Sequence, residues 1–176
     1  KALSSWMQWL ELIGKSDERK AWQAKYDDMC ALVSKNLQAF PAKYHAYTLA
    51  ARNAIISNEI AAPIIRDFIS AGFPYNQSAK RLRDPLNVVE GAITPYFTNY
   101  SMPVLIDSGN GTSAADIWRT NWGWMLEKGA TTWWEVFDDR WSHCHYWSGA
   151  PTWQLSRYGL GLHPQLNKEG SSVILR

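Results

Sequence analysis

The chain has 176 residues, which is enough for one domain with a hydrophobic core. Its 18 basic and 16 acidic residues nearly balance, at a formal net charge of +2, so it lacks the concentrated positive charge that neutralises phosphates, and we expect no nucleic-acid partner. No stretch is apolar over the length of a membrane span, so we expect no membrane partner either.

Two amphipathic helices are predicted in the first 38 residues. The first should end at Gly14, because glycine is the residue type most common just past a helix C-terminus. Ser16 is followed by two acidic residues and predicts the N-cap of the second helix, which should run to about Gln38. Apolar residues at helical spacing should face inward: Leu3, Trp6, Met7, Leu10, Ile13, Trp22, Tyr26, Met29, Cys30, Val33 and Leu37.

Five further helices are predicted in the rest of the chain, with a polar loop at 74–87. Their expected ranges are 43–57, 58–72, 88–109, 112–129 and 150–161. Seven helices joined mostly by short connections indicate an all-α fold of antiparallel helical hairpins, with functional loops at one end. The tail at 167–176 is richer in β-branched residues and indicates the beginning of a strand.

The stretch "GATTWWEVFDDRWSHCHYW" at 129–147 mixes aromatic rings with carboxylates and two histidines, which is typical of a pocket lining. The chain has 11 tryptophans and 8 tyrosines, and flat aromatic faces stack on sugar rings, so we favour a sugar as the ligand. Glu135 comes just beyond the predicted helix end, where loops carry functional groups. Trp133 and Trp134 beside it would exclude water, which suits a carboxylate that acts as an acid or a base.

Asp138 and Asp139 follow Glu135 in the same loop. Two carboxyl groups that flank a glycosidic bond are the equipment of glycoside hydrolysis. One short loop seldom places two carboxylates on opposite faces of a sugar, however. We therefore assign the aspartates to ligand hydroxyl groups or to bracing the loop, with Asp138 as a substrate-binding residue.

His143 and His145 have the spacing of two metal ligands on an extended segment, and Glu135 or Asp139 could complete a three-ligand site. The interpretation that we favour is that one histidine donates a hydrogen bond to a sugar hydroxyl and the other braces the loop. We accordingly expect no metal and no cofactor. A Cys–His nucleophile pair with Cys144 is disfavoured, because adjacent side chains on a strand diverge.

The helix before the motif carries three tryptophans. Trp118 and Trp122 share a face, and Trp124 points elsewhere. Trp122 and Trp124 lie nearest the loop and are the candidates for a sugar platform, while about half of the tryptophans should belong to the core. Candidate sugar-binding residues from the motif itself are Trp134 and Trp147.

Cys30 and Cys144 lie far apart in the sequence and have no metal-binding spacing, so a disulfide between them stays open. Three N-x-S/T sequons, at Asn76, Asn99 and Asn110, are compatible with a glycosylated protein. We therefore expect an extracellular or secreted location.

The segments "NWGWMLEKGATTWWEVFD" and "SHCHYWSGAPTWQLSRYGLGLHP" together resemble the α-L-rhamnosidases, which belong to the six-hairpin glycosidases. In that family a W-x-x-M-L-x-x-G-A-T-T-x-W-E segment is followed by S-x-x-H and by a G-[IL]-x-P turn, which 161–164 match here. The specific part of the resemblance spans 118–164, whereas residues 1–73 match only as generic barrel helices.

The resemblance implies an inverting hydrolase of terminal α-L-rhamnosyl or similar deoxy-sugar residues, built on an (α/α) toroid of six helical hairpins. It makes Glu135 the general base and His145 a sugar contact, with Trp122 and Trp124 lining the subsite. The loop after Glu135 is shorter here than in the family, which affects the shape of the subsite. The family's general acid comes from the earlier half of the barrel.

The resemblance also divides the chain. Residues 1–164 correspond to the C-terminal half of the catalytic domain, and 165–176 to the start of a following segment, which in the family is a β-sandwich. The expected partners are a carbohydrate substrate and the N-terminal half of the barrel. The alternatives are a carbohydrate-binding relative, a polysaccharide lyase with His145 or Tyr146 as the base, and a helical interaction domain with a tryptophan-rich core.

Overall fold

A computed structural model describes residues 2–39, 43–70, 94–137, 141–167 and 170–175. In these ranges the chain is mostly helical, as the sequence predicts, and carries one two-stranded sheet near its C-terminal end. The predicted loop at 74–87, the first part of the predicted helix at 88–109, and both Asp138 and Asp139 lie outside the described residues.

Seven α-helical runs follow one another in the described ranges, and two of them contain a π-helical turn. The helices are α1 Ala2–Leu12, α2 Ser16–Asn36, α3 Lys43–Arg52, α4 Asn58–Ser70, α5 Thr98–Asp107, α6 Gly111–Ile117, α7 Gly123–Glu127 and α8 Ala150–Gln154. π-Helical turns at Trp118–Trp122 and Leu155–Gly159 join α6 to α7 and extend α8. No described helix combines the length and the apolar character that a membrane crossing requires.

Helix α1 is closed by Gly14 as predicted, and the same cap recurs at Ala54, Gly109 and Gly129. Gly14 has a φ of 76°, and the amide of Lys15 donates to the carbonyl of Leu10. This hydrogen bond, with that of Gly14 to Glu11, forms a Schellman cap, which requires a left-handed residue. Gly129 closes α7 in the same way, as predicted. Ala54, at a φ of 56°, closes α3 without glycine.

Helix α2 differs in two details from its prediction. It begins at Ser16 itself, with Lys15 in the N-cap position, so Ser16 is not the capping residue. It ends at Asn36 and continues as a 3₁₀ turn, Leu37–Ala39. Of the residues expected to face inward from it, Leu37 is buried and Met29 is 52% exposed, because α2 packs mainly against α1.

The hydrophobic core lies where α3, α4 and α5 meet, and α6 and α8 pack against α5. Tyr44 of α3 is fully buried there, stacks on Phe68 of α4 at 4.9 Å and shares a 2.9 Å hydrogen bond with the Ser101 hydroxyl of α5. Burial of apolar side chains of this size contributes about 1.5–3 kcal/mol each, so the contacts of these three helices contribute substantially to stability. The core therefore holds α5, whose N-terminal end reaches the motif loop.

The π-helical turn at Trp118–Trp122 changes which side chains of the run enter the core. Its wider backbone ring adds a residue to one turn, and such turns are common at functional sites. Asn121 and Trp122 are buried, and the indole Nε1 of Trp122 donates to the carbonyl oxygen of Ser148 at 3.0 Å. This hydrogen bond ties the run to the end of the motif loop.

The C-terminal strands form an antiparallel hairpin. β1 (Leu162–Asn167) pairs with β2 (Gly170–Leu175) in a register that places Leu162 opposite Leu175 and Pro164 opposite Val173. The predicted β-branched strand is thus present, but the expected turn at 161–164 already belongs to β1 from Leu162 onward. Proline is tolerated there, because a strand with an open edge does not need every backbone amide.

Candidate functional site

The motif forms a loop whose two limbs are hydrogen-bonded to each other. The amide of Glu135 donates to the carbonyl of Ser142 at 2.8 Å, and the amide of His145 donates to the carbonyl of Trp133 at 2.8 Å. The hydroxyl of Thr132 donates to the carbonyl of His143. These bonds bring Glu135 and the histidine segment, separate in the sequence, to one place at the end of α7.

Glu135 and His145 form the charged centre of the loop. The Oε2 atom of Glu135 lies 3.9 Å from the Nδ1 atom of His145, and the two side chains are 37% and 16% exposed, respectively. The distance exceeds that of a hydrogen bond, so among the described residues His145 leaves the acceptor capacity of the carboxylate available to a ligand or a water molecule. A half-exposed carboxylate beside an enclosed imidazole is a suitable arrangement for moving protons.

The two histidines of the H-x-H pair have different surroundings. The His143 ring stacks on Trp134, with 4.4 Å between centroids and 15° between planes. The His145 ring instead packs edge-on against Trp147 at 4.3 Å. His145 is therefore positioned beside Glu135, while His143 covers a tryptophan. Among the described residues, no group of three His, Cys, Asp or Glu side chains could hold a metal ion.

The predicted sugar-binding tryptophans fall into two groups. Trp122 and Trp134 are 3% and 6% exposed, so they pack the loop from inside and present no open face. Phe137 packs against Trp122 at 5.0 Å, and Trp124 packs edge-on against Trp134 at 5.8 Å. Trp147 is 45% exposed and lies next to His145, so of these tryptophans it has the most accessible ring face beside the charged centre. Asp138 lies outside the described residues.

Three residues at the N-terminal end of α5 join the site, and none of them was predicted to belong to it. The ring of Tyr96 lies 6.1 Å from that of Trp147, and its hydroxyl is 3.0 Å from the hydroxyl of Tyr100. The Asn99 amide nitrogen donates to the carbonyls of Tyr96, at 2.8 Å, and of Trp147, at 3.3 Å. The i, i+4 spacing of the two tyrosines was the available signal.

Two cysteine thiols and the Tyr100 phenol are the other reactive side chains to consider. Cys30 and Cys144 are both free thiols, so the disulfide left open by the sequence is not formed. The hydrogen bond with Tyr96 raises the pKa of the Tyr100 phenol above its ordinary value. Among the described residues, the site thus combines the Glu135 carboxylate, the imidazole beside it and a rim of uncharged aromatic side chains.

No protein-family model, curated protein or solved structure matches this chain. The family resemblance therefore depends on the residues of the motif alone.

Proposed function

We propose that the chain carries part of the active site of an inverting glycoside hydrolase of the α-L-rhamnosidase type, with Glu135 as the general base. The observation that carries the proposal is the 3.9 Å approach of the Glu135 carboxylate to His145 beside the exposed ring of Trp147. An uncharged ring with hydroxyl groups can stack on the indole and hydrogen-bond to the imidazole. A terminal α-L-rhamnosyl residue has this chemistry.

In the proposed reaction, Glu135 accepts a proton from a water molecule whose oxygen attacks the anomeric carbon. The bond from that carbon to the leaving-group oxygen breaks, and the leaving oxygen takes a proton from a general acid. In inverting enzymes the two carboxyl groups lie about 6.5–9.5 Å apart, which leaves room for the water. We place the acid on the earlier hairpins of the toroid, and we assign His145 to holding a sugar hydroxyl.

The finer architecture is also a proposal: the α1–α2 hairpin continues an (α/α) toroid by packing against further helices. Its support is an apolar surface on that hairpin. The rings of Trp6 and Trp9 stack at 5.2 Å and are 38% and 50% exposed, and Leu12 is 83% exposed. Such a surface marks an interface. The N-terminal half of the barrel is the partner that the family resemblance implies.

The test compares Glu135→Gln with wild type for hydrolysis of p-nitrophenyl α-L-rhamnoside, in the complete protein and in the 176-residue chain. General base catalysis is worth about 10²–10⁴-fold, so turnover should fall by about that factor while sugar binding persists. Glu127→Gln is the matched control, because Glu127 is an exposed glutamate at the end of α7. Control activity should equal that of wild type.

Four results would contradict parts of this proposal. Unchanged turnover in Glu135→Gln would remove Glu135 as the base. Full activity of the pure 176-residue chain would show that no further half-barrel is needed. Products that absorb in the ultraviolet through a new double bond would indicate a lyase, and sugar binding without turnover in the complete protein would indicate a binding relative.

A further inference from the structure

A row of aromatic rings leads away from the Glu135–His145 centre toward α5. His145 contacts Trp147, Trp147 contacts Tyr96, and Tyr96 contacts Tyr100 at a ring distance of 5.8 Å. We call Tyr96, Tyr100 and Trp147 the tyrosine platform. Tyr96 and Trp147 are 44% and 45% exposed, so the platform is an open surface that continues the site.

The two hydroxyl groups of the platform are hydrogen-bonded to each other and still have hydrogen-bonding capacity left. One phenol donates to the other at 3.0 Å, which leaves one donor hydrogen and three acceptor lone pairs for a ligand. Sugar hydroxyl groups both donate and accept, so they match this combination. The platform carries no formal charge, and therefore it suits a neutral ring better than a uronic acid or a phosphate.

The platform is also held in place before any ligand binds. Asn99 donates to the backbone carbonyls of Tyr96 and Trp147, so one amide fixes the separation of the α5 end from the motif loop. The amide oxygen of Asn99 accepts a 2.7 Å hydrogen bond from the indole of Trp153. Every polar atom of this side chain is engaged, and a preorganised surface binds with less loss of conformational entropy.

We propose that the tyrosine platform binds a second, uncharged pyranose unit, the leaving-group sugar next to the one held at Glu135 and His145. The preferred ligand is then a disaccharide or longer glycan. This inference rests on the proposed function, because it needs a first sugar at the Glu135–His145 centre. An aromatic leaving group would use the ring faces of the platform but not its hydroxyl pair, and this difference can be measured.

The experiment titrates the 176-residue chain by calorimetry with three probes: methyl α-L-rhamnoside, a rhamnosyl-glucose disaccharide as its methyl glycoside, and p-nitrophenyl α-L-rhamnoside. In wild type the disaccharide should bind about tenfold more tightly than the monosaccharide. Hydrogen bonds between neutral groups contribute modestly to binding. The double variant Tyr96→Phe/Tyr100→Phe should therefore lose about three- to tenfold in affinity for the disaccharide and keep its affinity for the other two probes. Tyr100→Phe alone is the milder variant.

Tyr158→Phe is the matched control, since Tyr158 packs against Trp153 and His163 and is not part of the platform. Its affinity for all three probes should be that of wild type. Equal affinity of wild type for the monosaccharide and the disaccharide would overturn the inference and leave the proposed function standing. The inference would also be overturned if p-nitrophenyl α-L-rhamnoside bound as much more tightly than the monosaccharide as the disaccharide does, and if the double variant kept this difference in affinity. Absence of binding to every probe would overturn the inference, because this chain carries the whole platform, whereas the proposed function would still be decided by turnover in the complete protein.

Discussion

Asn99 and Trp153 are joined by a 2.7 Å hydrogen bond from the indole Nε1 to the amide Oδ1, across 54 positions of sequence. The same asparagine donates to the carbonyl of Trp147 in the motif loop. One side chain at the start of α5 thus connects α8 with the loop that carries His145. This connection helps to hold the loop in position.

We expect Asn99→Ala to lower the free energy of unfolding by about 1–2 kcal/mol, because it removes three hydrogen bonds that are partly open to water. Chemical denaturation measures this change, and the indole NMR signal of Trp153 should shift. Asn36→Ala is the control, since that side chain makes one exposed hydrogen bond to the carbonyl of Leu32. Its effect should stay within about 0.5 kcal/mol. Equal losses in both variants would argue against the connecting role of Asn99.

The left-handed caps give a paired prediction. Ala54 has a φ of 56°, a conformation that costs an L-residue about 1–2 kcal/mol and costs glycine nothing. Allowing for the greater freedom of glycine in the unfolded chain, Ala54→Gly should stabilise the protein by about 0.5–1 kcal/mol. The midpoint of denaturation, at an unchanged slope, measures the gain.

Gly129→Ala is the reverse substitution and should destabilise by about 1 kcal/mol. Gly129 has a φ of 84°, and a Cβ atom built there meets no atom within 4 Å, so the cost would come from the backbone alone. Shifts of the same sign for the two substitutions would contradict this account.

Stability should decline in mild acid because of His45. Burial lowers the pKa of this imidazole below the usual 6.5, and its ring lies 4.3 Å from that of Phe97. As the pH falls, the unfolded chain therefore takes up the proton first. The contribution of neutral His45 is complete above about pH 6.5 and is lost as the pH falls through the folded-state value.

His45→Phe should remove this part of the pH dependence while it keeps the packing against Phe97. The measurement is the free energy of unfolding of both proteins at pH 7.5 and at successively lower pH. Above neutral pH the two curves of unfolding free energy against pH should have the same slope. Below it, the free energy of the wild type should fall more steeply than that of the variant. Parallel curves across the whole range would show that His45 is not responsible.

The sequence predicted the helices and two of their caps because these depend on local signals. Apolar periodicity and glycine placement act within one or two turns, so Gly14 and Gly129 were identified correctly. Ala54 was missed, because nothing in an alanine indicates a left-handed residue. The inward face of α2 was assigned from periodicity, yet α2 packs mainly against α1 and leaves Met29 exposed.

Site residues that lie within the continuous motif could be predicted from the sequence. Contacts between residues far apart in the sequence could not. Glu135 and His145 were both named, but their approach depends on hydrogen bonds between the two limbs of the loop. Trp122 was expected to line the site and is instead buried, in a π-helical turn that periodicity does not detect. Tyr96 reaches Trp147 only because the core holds α5 beside the loop, which is a tertiary effect.

The buried hydroxyl pair of Tyr44 and Ser101 gives a test of how the core holds α5. Both residues are fully buried, and their oxygens are 2.9 Å apart. Tyr44→Phe leaves the serine hydroxyl without this partner, and Ser101→Ala does the same to the phenol, so each substitution should cost about 1–3 kcal/mol. The double variant should cost less than the sum, with a coupling energy of about 0.5–3 kcal/mol in a double-mutant cycle. Additive effects would mean that the pair does not stabilise the contact between α3 and α5, and that the position of α5 depends on apolar packing such as that of Tyr44 on Phe68.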